Sequence, residues 1–208
     1  MSKSLIFKQV PLYRFLDLCL QNNPSDTRTI LDCGAGGDMP PLALFRMHEF
    51  KTVGIELDEK AVKAANDFGK SRGLELNIQT GDMTALAFED GSFDFVYSYN
   101  SIFHMKKVDI EKAISELKRV LKPGGLMFVN FLSTDDFRCG EGPDLGNHQY
   151  EQMDDEPVIH SYFEHNEADP YFEEMETLIK EQRIIQRIYE GNPIRQGFVD
   201  YILRKKKG

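Results

Sequence analysis

The chain lacks tryptophan, has three cysteines among 208 residues, and contains no apolar run near the roughly 18 residues that span a bilayer. The cysteines have neither disulfide nor metal-ligand spacing, so we predict a reducing compartment and no metal site. Basic residues are the minority, with 25 Lys and Arg against 34 Asp and Glu and a formal net charge of −9. That charge repels a phosphate backbone. We therefore expect a cytoplasmic protein that binds neither nucleic acid nor a membrane.

What the chain does contain is the composition of an ordinary globular protein, with 41% hydrophobic and 28% charged residues. A length of 208 residues accommodates one sizeable core and hardly two. We expect a single domain over residues 1–208, divided into four segments. They are an N-terminal helical segment (1–27), a ligand-binding core (28–132), an insertion over the substrate site (133–170), and a C-terminal helix and hairpin (171–208).

Short β-rich runs alternate with helix-period segments from Arg28 onward. This alternation predicts an α/β fold with an open, mostly parallel sheet and helices on both faces. Five central strands are predicted at 29–33, 52–56, 76–80, 93–98 and 126–131. Two more, near 183–189 and 198–204, would pair as a hairpin. The expected sheet therefore has seven strands, and its final strand is antiparallel.

Helix boundaries in the core are marked by prolines, glycines and one capping residue. Asp38 precedes Pro40 and Pro41, which fit a first helical turn, so we expect Asp38 to cap that helix. The segment 110–121 has one apolar face and is followed by the stop signal at 123–125. That segment should be an amphipathic helix leading into a strand.

Outside the core the pattern is weaker. Residues 4–21 predict two short helices or one kinked at Pro11, and a further helix is predicted near 172–182. The insertion, 133–170, is polar and shows no sustained apolar period. Long loops of this kind are commonly lids or binding loops, so we expect it to contact substrate.

A small-residue turn follows the first predicted strand and has the features of a ligand-binding loop. Gly34 and Gly36 leave bare backbone where a ligand can approach, and the next helix would offer unpaired N–H groups to a carboxylate. About twenty residues later, Glu56 closes the second strand, where a carboxylate can accept both hydroxyls of a ribose. After the third strand, Asp82 could accept from an adenine amino group and Met83 could pack on the ring.

These motifs resemble those of the class I S-adenosylmethionine-dependent methyltransferases of the small-molecule type, over residues 28–131. The matches are Asp32, Gly34 and Gly36 in the first motif, Glu56 at the ribose, Asp82 at the adenine, Phe93 to Val96 with His104 in the strand-four motif, and Arg119 to Gly125 before the fifth strand. One residue departs from the family pattern, because Asp38 stands in place of the usual third glycine. We expect the loop to bend through Gly37 instead.

The resemblance implies a Rossmann-like fold that binds S-adenosyl-L-methionine, with S-adenosyl-L-homocysteine as the product and a small molecule as the N or O methyl acceptor. It implies a cofactor site formed by Asp32, Gly34, Ala35, Gly36, Glu56, Leu57, Gly81, Asp82, Met83, Ser98 and Tyr99. The catalytic candidates are Tyr99 and Asn100, at the end of the fourth strand, and His104, which could take a proton from the acceptor. For His104, a purely structural role at a helix end is equally consistent with the sequence.

Two other functions remain open from the sequence. The first is an inert cofactor-sensing or partner-binding module of the same fold, because no general base is evident. The second is a nicotinamide-dependent oxidoreductase, although Met39 occupies the position of the third glycine in the dinucleotide pattern. The sequence predicts either a monomer or a homodimer.

Overall fold

A nine-stranded β-sheet organises the computed structural model, which describes residues 7, 9–22, 27–154, 156–189 and 191–207. The strands are β1 (Thr29–Cys33), β2 (Lys51–Glu56), β3 (Ile78–Thr80), β4 (Phe93–Ser98), β5 (Leu121–Ser133), β6 (Gln149–Met153), β7 (Pro157–Phe163), β8 (Met175–Tyr189) and β9 (Asn192–Lys205). Strands β1 to β5 pair in parallel in the order β3-β2-β1-β4-β5. The expected α/β fold with a mostly parallel sheet is confirmed.

Strand β5 is the branch point of the sheet. Along residues 126–132 it pairs antiparallel with β9, which in turn forms a long hairpin with β8. Its last two residues pair in parallel with β7, and β7 carries β6 as an outer antiparallel strand. The antiparallel final strand is confirmed, while the strand count of seven was wrong because β6 and β7 lie within the segment expected to be an insertion.

Helices cover both faces of the sheet, as expected. They are α1 (Val10–Gln21), α2 (Leu42–Met47), α3 (Glu59–Lys70), α4 (Lys107–Val120) and one short 3-10 helix (Asp169–Phe172). Helices α1 to α3 pack on one face, where Phe15, Phe45 and Ala65 join the same apolar cluster as Phe128. Helix α4 packs on the other face through Ile110, Ile114 and Leu117. None of the described helices combines the length and apolar character needed to span a membrane.

The helix predicted near 172–182 is wrong, because most of that segment lies in β8. Met175 lies three residues after Phe172, and Leu178 and Ile179 lie three and four residues after Met175. This spacing imitates the apolar face of a helix. In the structure the register of β8 against β9 shifts between Thr177 and Ile179. A bulge inserts one residue and breaks the two-residue alternation of a strand, and that break produced the helical spacing.

The insertion predicted at 133–170 contains regular structure that its polarity concealed. Strand β7 buries His160 and Ser161 beside its aromatic residues Tyr162 and Phe163. Because both polar and apolar side chains are buried at successive positions, the strand shows no alternation of the usual kind. Residues 134–148 connect β5 to β6 through turns and one isolated bridge.

Two predicted helix starts also need correction. Helix α1 is one helix beginning at Val10, with Pro11 in its first turn, where the missing N–H costs nothing. The predicted positions 4–6 lie outside the described residues. Helix α2 begins only at Leu42, with Pro41 at its N-cap position and no side-chain cap, so Asp38 does not cap it.

Candidate functional site

The ends of β1, β2 and β3 and the loop after β4 surround a cleft of about 270 Å³. Its lining residues are Gly34, Ile55, Glu56, Leu57, Gly81, Met83, Ser101, His104 and Met105. The carboxyl ends of parallel strands meet at one edge of a sheet, which is where open α/β sheets place ligands. Six of the residues predicted from the sequence thus share one cleft. They are Gly34, Glu56, Leu57, Gly81, Met83 and His104.

Gly34 directly follows β1 and has a φ of +95°, a backbone conformation that other residues rarely adopt. A Cβ atom at this position would lie 2.0 Å from the Ser101 Oγ atom. The loop after β4 therefore lies directly against bare backbone at the end of β1. This close approach forms the side of the cleft next to β4, and only glycine permits it.

Glu56 ends β2 with its carboxylate held by three backbone amides. Its Oε1 atom accepts from Leu57 N at 2.8 Å and Asp58 N at 3.2 Å, and its Oε2 atom accepts from Gly36 N at 3.3 Å. A carboxylate has about four acceptor positions, so capacity remains for a ligand hydroxyl. The loop between β1 and α2 is thereby tied to β2 through this one side chain.

The first four residues of the loop after β1 have paired backbone amides, while the expectation of unpaired N–H groups at the start of the next helix, α2, stays a prediction. Gly34 N and Ala35 N both donate to the Ile55 carbonyl at 2.9 Å, and Gly37 N donates to the Ala61 carbonyl at 3.3 Å. With Gly36 N on Glu56, all four amides of residues 34–37 have protein acceptors. The loop does bend through Gly37, whose φ is +99°, as expected.

Asp32 lies beneath the cleft and is almost completely buried. Its Oδ2 atom accepts a hydrogen bond of 2.6 Å from the Tyr97 hydroxyl. Burial raises the pKa of Asp32 to about 7, the hydroxyl of Tyr97 opposes that rise, and the negative charge of Glu56 adds to it. Because Asp32 does not line the cleft, its predicted contact with a ligand remains a prediction.

The third loop contributes backbone and a thioether to the cleft, while its acid lies to the side. The Asp82 Oδ1 atom accepts from both the amide and the hydroxyl of Thr84, each at 2.8 Å. Asp82 is exposed, whereas Met83 is buried and Gly81 lines the cleft. The Asp82 carboxylate shapes this loop, and its predicted adenine contact stays a prediction.

Tyr99 and Asn100 lie at the end of β4 but do not line this cleft. The Tyr99 ring packs on Phe128, with centroids 5.9 Å apart, on the face covered by α1. Asn100 has a φ of +54° and exchanges two hydrogen bonds with the Asn130 amide, at 2.8 and 2.7 Å. The preceding Ser98 is fully buried, and its hydroxyl has no hydrogen-bond partner in the described part of the chain.

His104 lines the cleft beside a second imidazole. Its ring meets the His160 ring edge to face at a centroid distance of 4.6 Å. Desolvation, together with the proximity of His160, lowers the pKa of His104 to about 4. The imidazole is therefore neutral at pH 7, the state in which it can accept a proton.

Comparison with known proteins identifies the domain around this cleft. Residues 31–129 match the family model described as a methyltransferase domain. A solved S-adenosylmethionine-dependent methyltransferase from Methanosarcina mazei superposes with a TM-score of 0.72 at 22% identity, covering 91% of this chain and 97% of that one. Residues 31–129 are thus similar to a methyltransferase domain, and the chain has the fold of the solved S-adenosylmethionine-dependent enzyme.

Curated relatives of the methyltransferase domain act on different compounds by name. The sterol 24-C-methyltransferase of Aspergillus fumigatus is 32% identical over 109 residues, which cover 51% of this chain and 28% of that protein. The ajmaline N-methyltransferase of Rauvolfia serpentina is 31% identical over 126 residues, which cover 57% and 43%. The chain spans about half or less of the length of the curated relatives it matches.

Family and fold imply S-adenosyl-L-methionine as the cofactor of the methyltransferase domain, and the cleft fits its adenosine part. Gly34 and Gly81 present backbone without a Cβ, and Glu56 brings a carboxylate between them. Ile55 and Met83 supply apolar surface of the kind that packs on a base. The chemistry of these residues and their position in one cleft fit a nucleoside.

The sequence patterns do not single out three residues of the cleft, Ile55, Ser101 and Met105. Ile55 directly precedes the ribose acid, so its place was within reach of the motif. Ser101 and Met105 lie in the turns between β4 and α4, where the sequence has no periodic pattern. The structure identifies Ser101 because this residue of the loop lies directly against Gly34.

Proposed function

We propose that the chain transfers a methyl group from S-adenosyl-L-methionine to a small molecule. The observation that carries the proposal is the meeting of Gly34, Glu56 and Gly81, from three successive strand ends, in one cleft of the methyltransferase domain. In this proposal Glu56 accepts one ribose hydroxyl at its remaining acceptor position, and the backbone of Gly34 and Gly81 lies against the ligand. Leu57 and Met83 contact the adenine.

The other predicted cofactor residues act through those that touch it. Asp32 positions β1 through its hydrogen bond with Tyr97, and Gly36 positions the Glu56 carboxylate. Asp82 holds the third loop through Thr84. When bound, the cofactor supplies an electrophilic methyl group, so the protein has mainly to hold the acceptor atom close and aligned.

His104 is proposed to receive the proton that the acceptor releases. Its imidazole lines the cleft beside the donor site and is neutral at pH 7. The low pKa makes it a weak base, so its position rather than its basicity supports the role. Tyr99 and Asn100 are proposed to orient the acceptor from the end of β4. The Asn100–Asn130 pair fixes that end of the strand.

The acceptor is proposed to be a small molecule methylated on nitrogen or oxygen. The names of the relatives specify carbon for the sterol enzyme and nitrogen for the ajmaline enzyme, so they do not distinguish the acceptor atom. An N–H or O–H acceptor is proposed because either loses a proton on methylation, and His104 lies where it can receive that proton. We further propose a cytoplasmic monomer or homodimer that does not bind nucleic acid, consistent with the net charge of −9 and three free cysteines.

Calorimetry with S-adenosyl-L-homocysteine tests the cofactor site. Glu56→Ala should weaken binding by about 1.5–3 kcal/mol, because it removes charged hydrogen bonds to the ligand. The matched control is Glu59→Ala, three residues further on in the exposed first turn of α3, which should bind as the parent does. Failure of the parent protein to bind below millimolar concentration, or equal binding by Glu56→Ala, would contradict the proposal.

A second candidate is a protein of the same fold that binds the cofactor without turnover. It is favoured by residues 34–37 of the loop after β1, whose four amides all donate to protein acceptors and are not free for the carboxylate of the cofactor. Incubation with a methyl-labelled donor and a metabolite extract separates the two. Label transfer that depends on the extract supports the methyltransferase, and cofactor binding without transfer supports the inert module.

A further inference from the structure

A second cavity of about 420 Å³ lies on the face of the sheet that α1 covers, between α1 and the β8–β9 hairpin. Its apolar lining is formed by Val10, Pro11, Tyr13, Phe128, Ile179 and Ile202. The volume falls in the range of small-molecule sites, which are mostly apolar with a few polar groups. Phe128 forms part of the wall on the sheet, and Val10 and Tyr13 form the exposed rim.

The charged groups that line this α1 pocket neutralise one another. Arg183 binds Asp200 in a bidentate pair, with Nε to Oδ2 at 2.7 Å and Nη2 to Oδ1 at 3.1 Å, and both side chains are largely buried. Arg14 pairs with Glu181 at the exposed edge. A charged ligand would lose its hydration here without finding a free countercharge. An uncharged ligand incurs no such cost and can still accept or donate a hydrogen bond at the Arg183–Asp200 pair.

The end of β4 connects the α1 pocket with the cofactor cleft. Tyr99 packs on Phe128 of the α1 pocket, and Ser101, two residues later, lines the cleft. Two residues of extended chain span at most about 7 Å. The charges of Arg183 and Asp200 also act on the Tyr99 hydroxyl, which places that hydroxyl near the polar end of the α1 pocket.

We propose that the α1 pocket binds the methyl acceptor, and that the acceptor is uncharged. Its apolar body packs against Phe128, Ile179 and Ile202, and one polar group binds the Arg183–Asp200 pair. The N–H or O–H that is methylated lies at the other end of the molecule, beyond Tyr99 and towards His104. The role of the bound molecule as methyl acceptor rests on the proposed function. The pocket and its selectivity for uncharged ligands stand on the lining residues alone. The two parts are therefore measured separately.

Two fluorescent probes that share their ring system test the selectivity. N-phenyl-1-naphthylamine is uncharged, and 1-anilinonaphthalene-8-sulfonate is nearly the same molecule with one negative charge. The uncharged probe should bind the purified chain saturably and at least tenfold more tightly than the sulfonate. Ile179→Arg, which puts an unpaired charge into the pocket, should weaken the uncharged probe at least tenfold. Ile188→Arg, at an exposed position of the same strand, should leave its affinity unchanged.

A second variant guards against misfolding of the first. Tyr13→Arg changes a partly exposed residue of α1, so the variant should fold normally. It should also bind the uncharged probe more weakly. Equal affinities for the two probes, or full affinity in both variants at unchanged thermal stability, would overturn the pocket.

The acceptor role has its own readout. Ile179→Arg should keep its affinity for S-adenosyl-L-homocysteine within twofold and lose extract-dependent transfer of the labelled methyl group. Unchanged transfer in a variant that no longer binds the probe would overturn the acceptor assignment. Loss of S-adenosyl-L-homocysteine binding by the parent protein would instead contradict the proposed function and leave the pocket measurements intact.

Discussion

The cofactor cleft and the α1 pocket lie on opposite sides of β4 and are built in different ways. The cleft is formed largely by backbone at strand ends, with glycines that let loops approach and one carboxylate, Glu56, that ties two loops together. The α1 pocket is formed by side chains from α1, β5 and the β8–β9 hairpin. The cleft therefore depends on local turn geometry, while the α1 pocket depends on long-range packing and on the charge balance of Arg183 with Asp200.

The largest effect that we expect is a loss of stability when the charge balance of the α1 pocket is broken. Arg183→Met leaves Asp200 buried without its partner, which should cost roughly 3 kcal/mol. For a domain of this size that corresponds to a fall in Tm of about 6–12 °C. Thermal unfolding measures the change. If the charge balance is what matters, Arg183→Met with Asp200→Leu should recover much of the loss.

The control for that prediction is the exposed pair of the same pocket. Arg14→Met removes the partner of Glu181, and both side chains are substantially exposed, so the change in stability should be below about 1 kcal/mol. Equal losses in Arg183→Met and Arg14→Met would show that burial does not distinguish the two pairs.

The two sites also differ in how far the sequence predicts them. The strands β1 and β4 were predicted to the residue, and Gly34, Glu56, Gly81 and Met83 were assigned together because each follows a strand end at a recognisable spacing. The same reasoning does not reach the α1 pocket. Its lining residues are separated by up to more than a hundred positions, and they meet through the pairing of β5 with β9 and of β9 with β8 and through the packing of α1 on the sheet.

The failures of prediction have the same cause. The bulge in β8 gave its apolar residues helical spacing, and β7 buried polar side chains, among them His160, that made it look like a loop. The bulge lies in the pairing of β8 with β9, and the polar side chains of β7 are covered by neighbouring elements. Local patterns report the preferences of a segment, and in these segments tertiary contacts override them.

An intermediate effect is expected at the backbone of the cleft. Gly34→Ala combines a left-handed φ with a clash against Ser101, and should weaken S-adenosyl-L-homocysteine binding by about 2 kcal/mol, or roughly 30-fold. Gly37→Ala is the matched control, because Gly37 has a similar φ of +99° but its Cβ would meet nothing within 4 Å.

Calorimetry on the pair separates strain from close approach. If backbone strain alone governs the loop, the two variants should lose affinity equally. If the approach of Ser101 governs the cleft, Gly34→Ala should lose more, and adding Ser101→Gly should restore part of the affinity.

The smallest effect tests whether the buried acid beneath the cleft is kept at a cost in stability. Burial raises the pKa of Asp32 to about 7, above the value near 3.9 of an unfolded aspartate. Between those pH values the folded state binds more protons than the unfolded state, so the free energy of unfolding falls as pH rises from about 4 to 7. Asp32→Asn cannot ionise, and its amide oxygen can still accept the Tyr97 hydroxyl. The variant should therefore be more stable than the parent by about 1–2 kcal/mol at pH 8, with Tm higher by about 3–5 °C, and this difference should shrink towards pH 4. A difference in Tm that is the same at pH 4 and pH 8 would mean that Asp32 titrates alike in both states, and that its hydrogen bond with Tyr97 offsets the cost of burial.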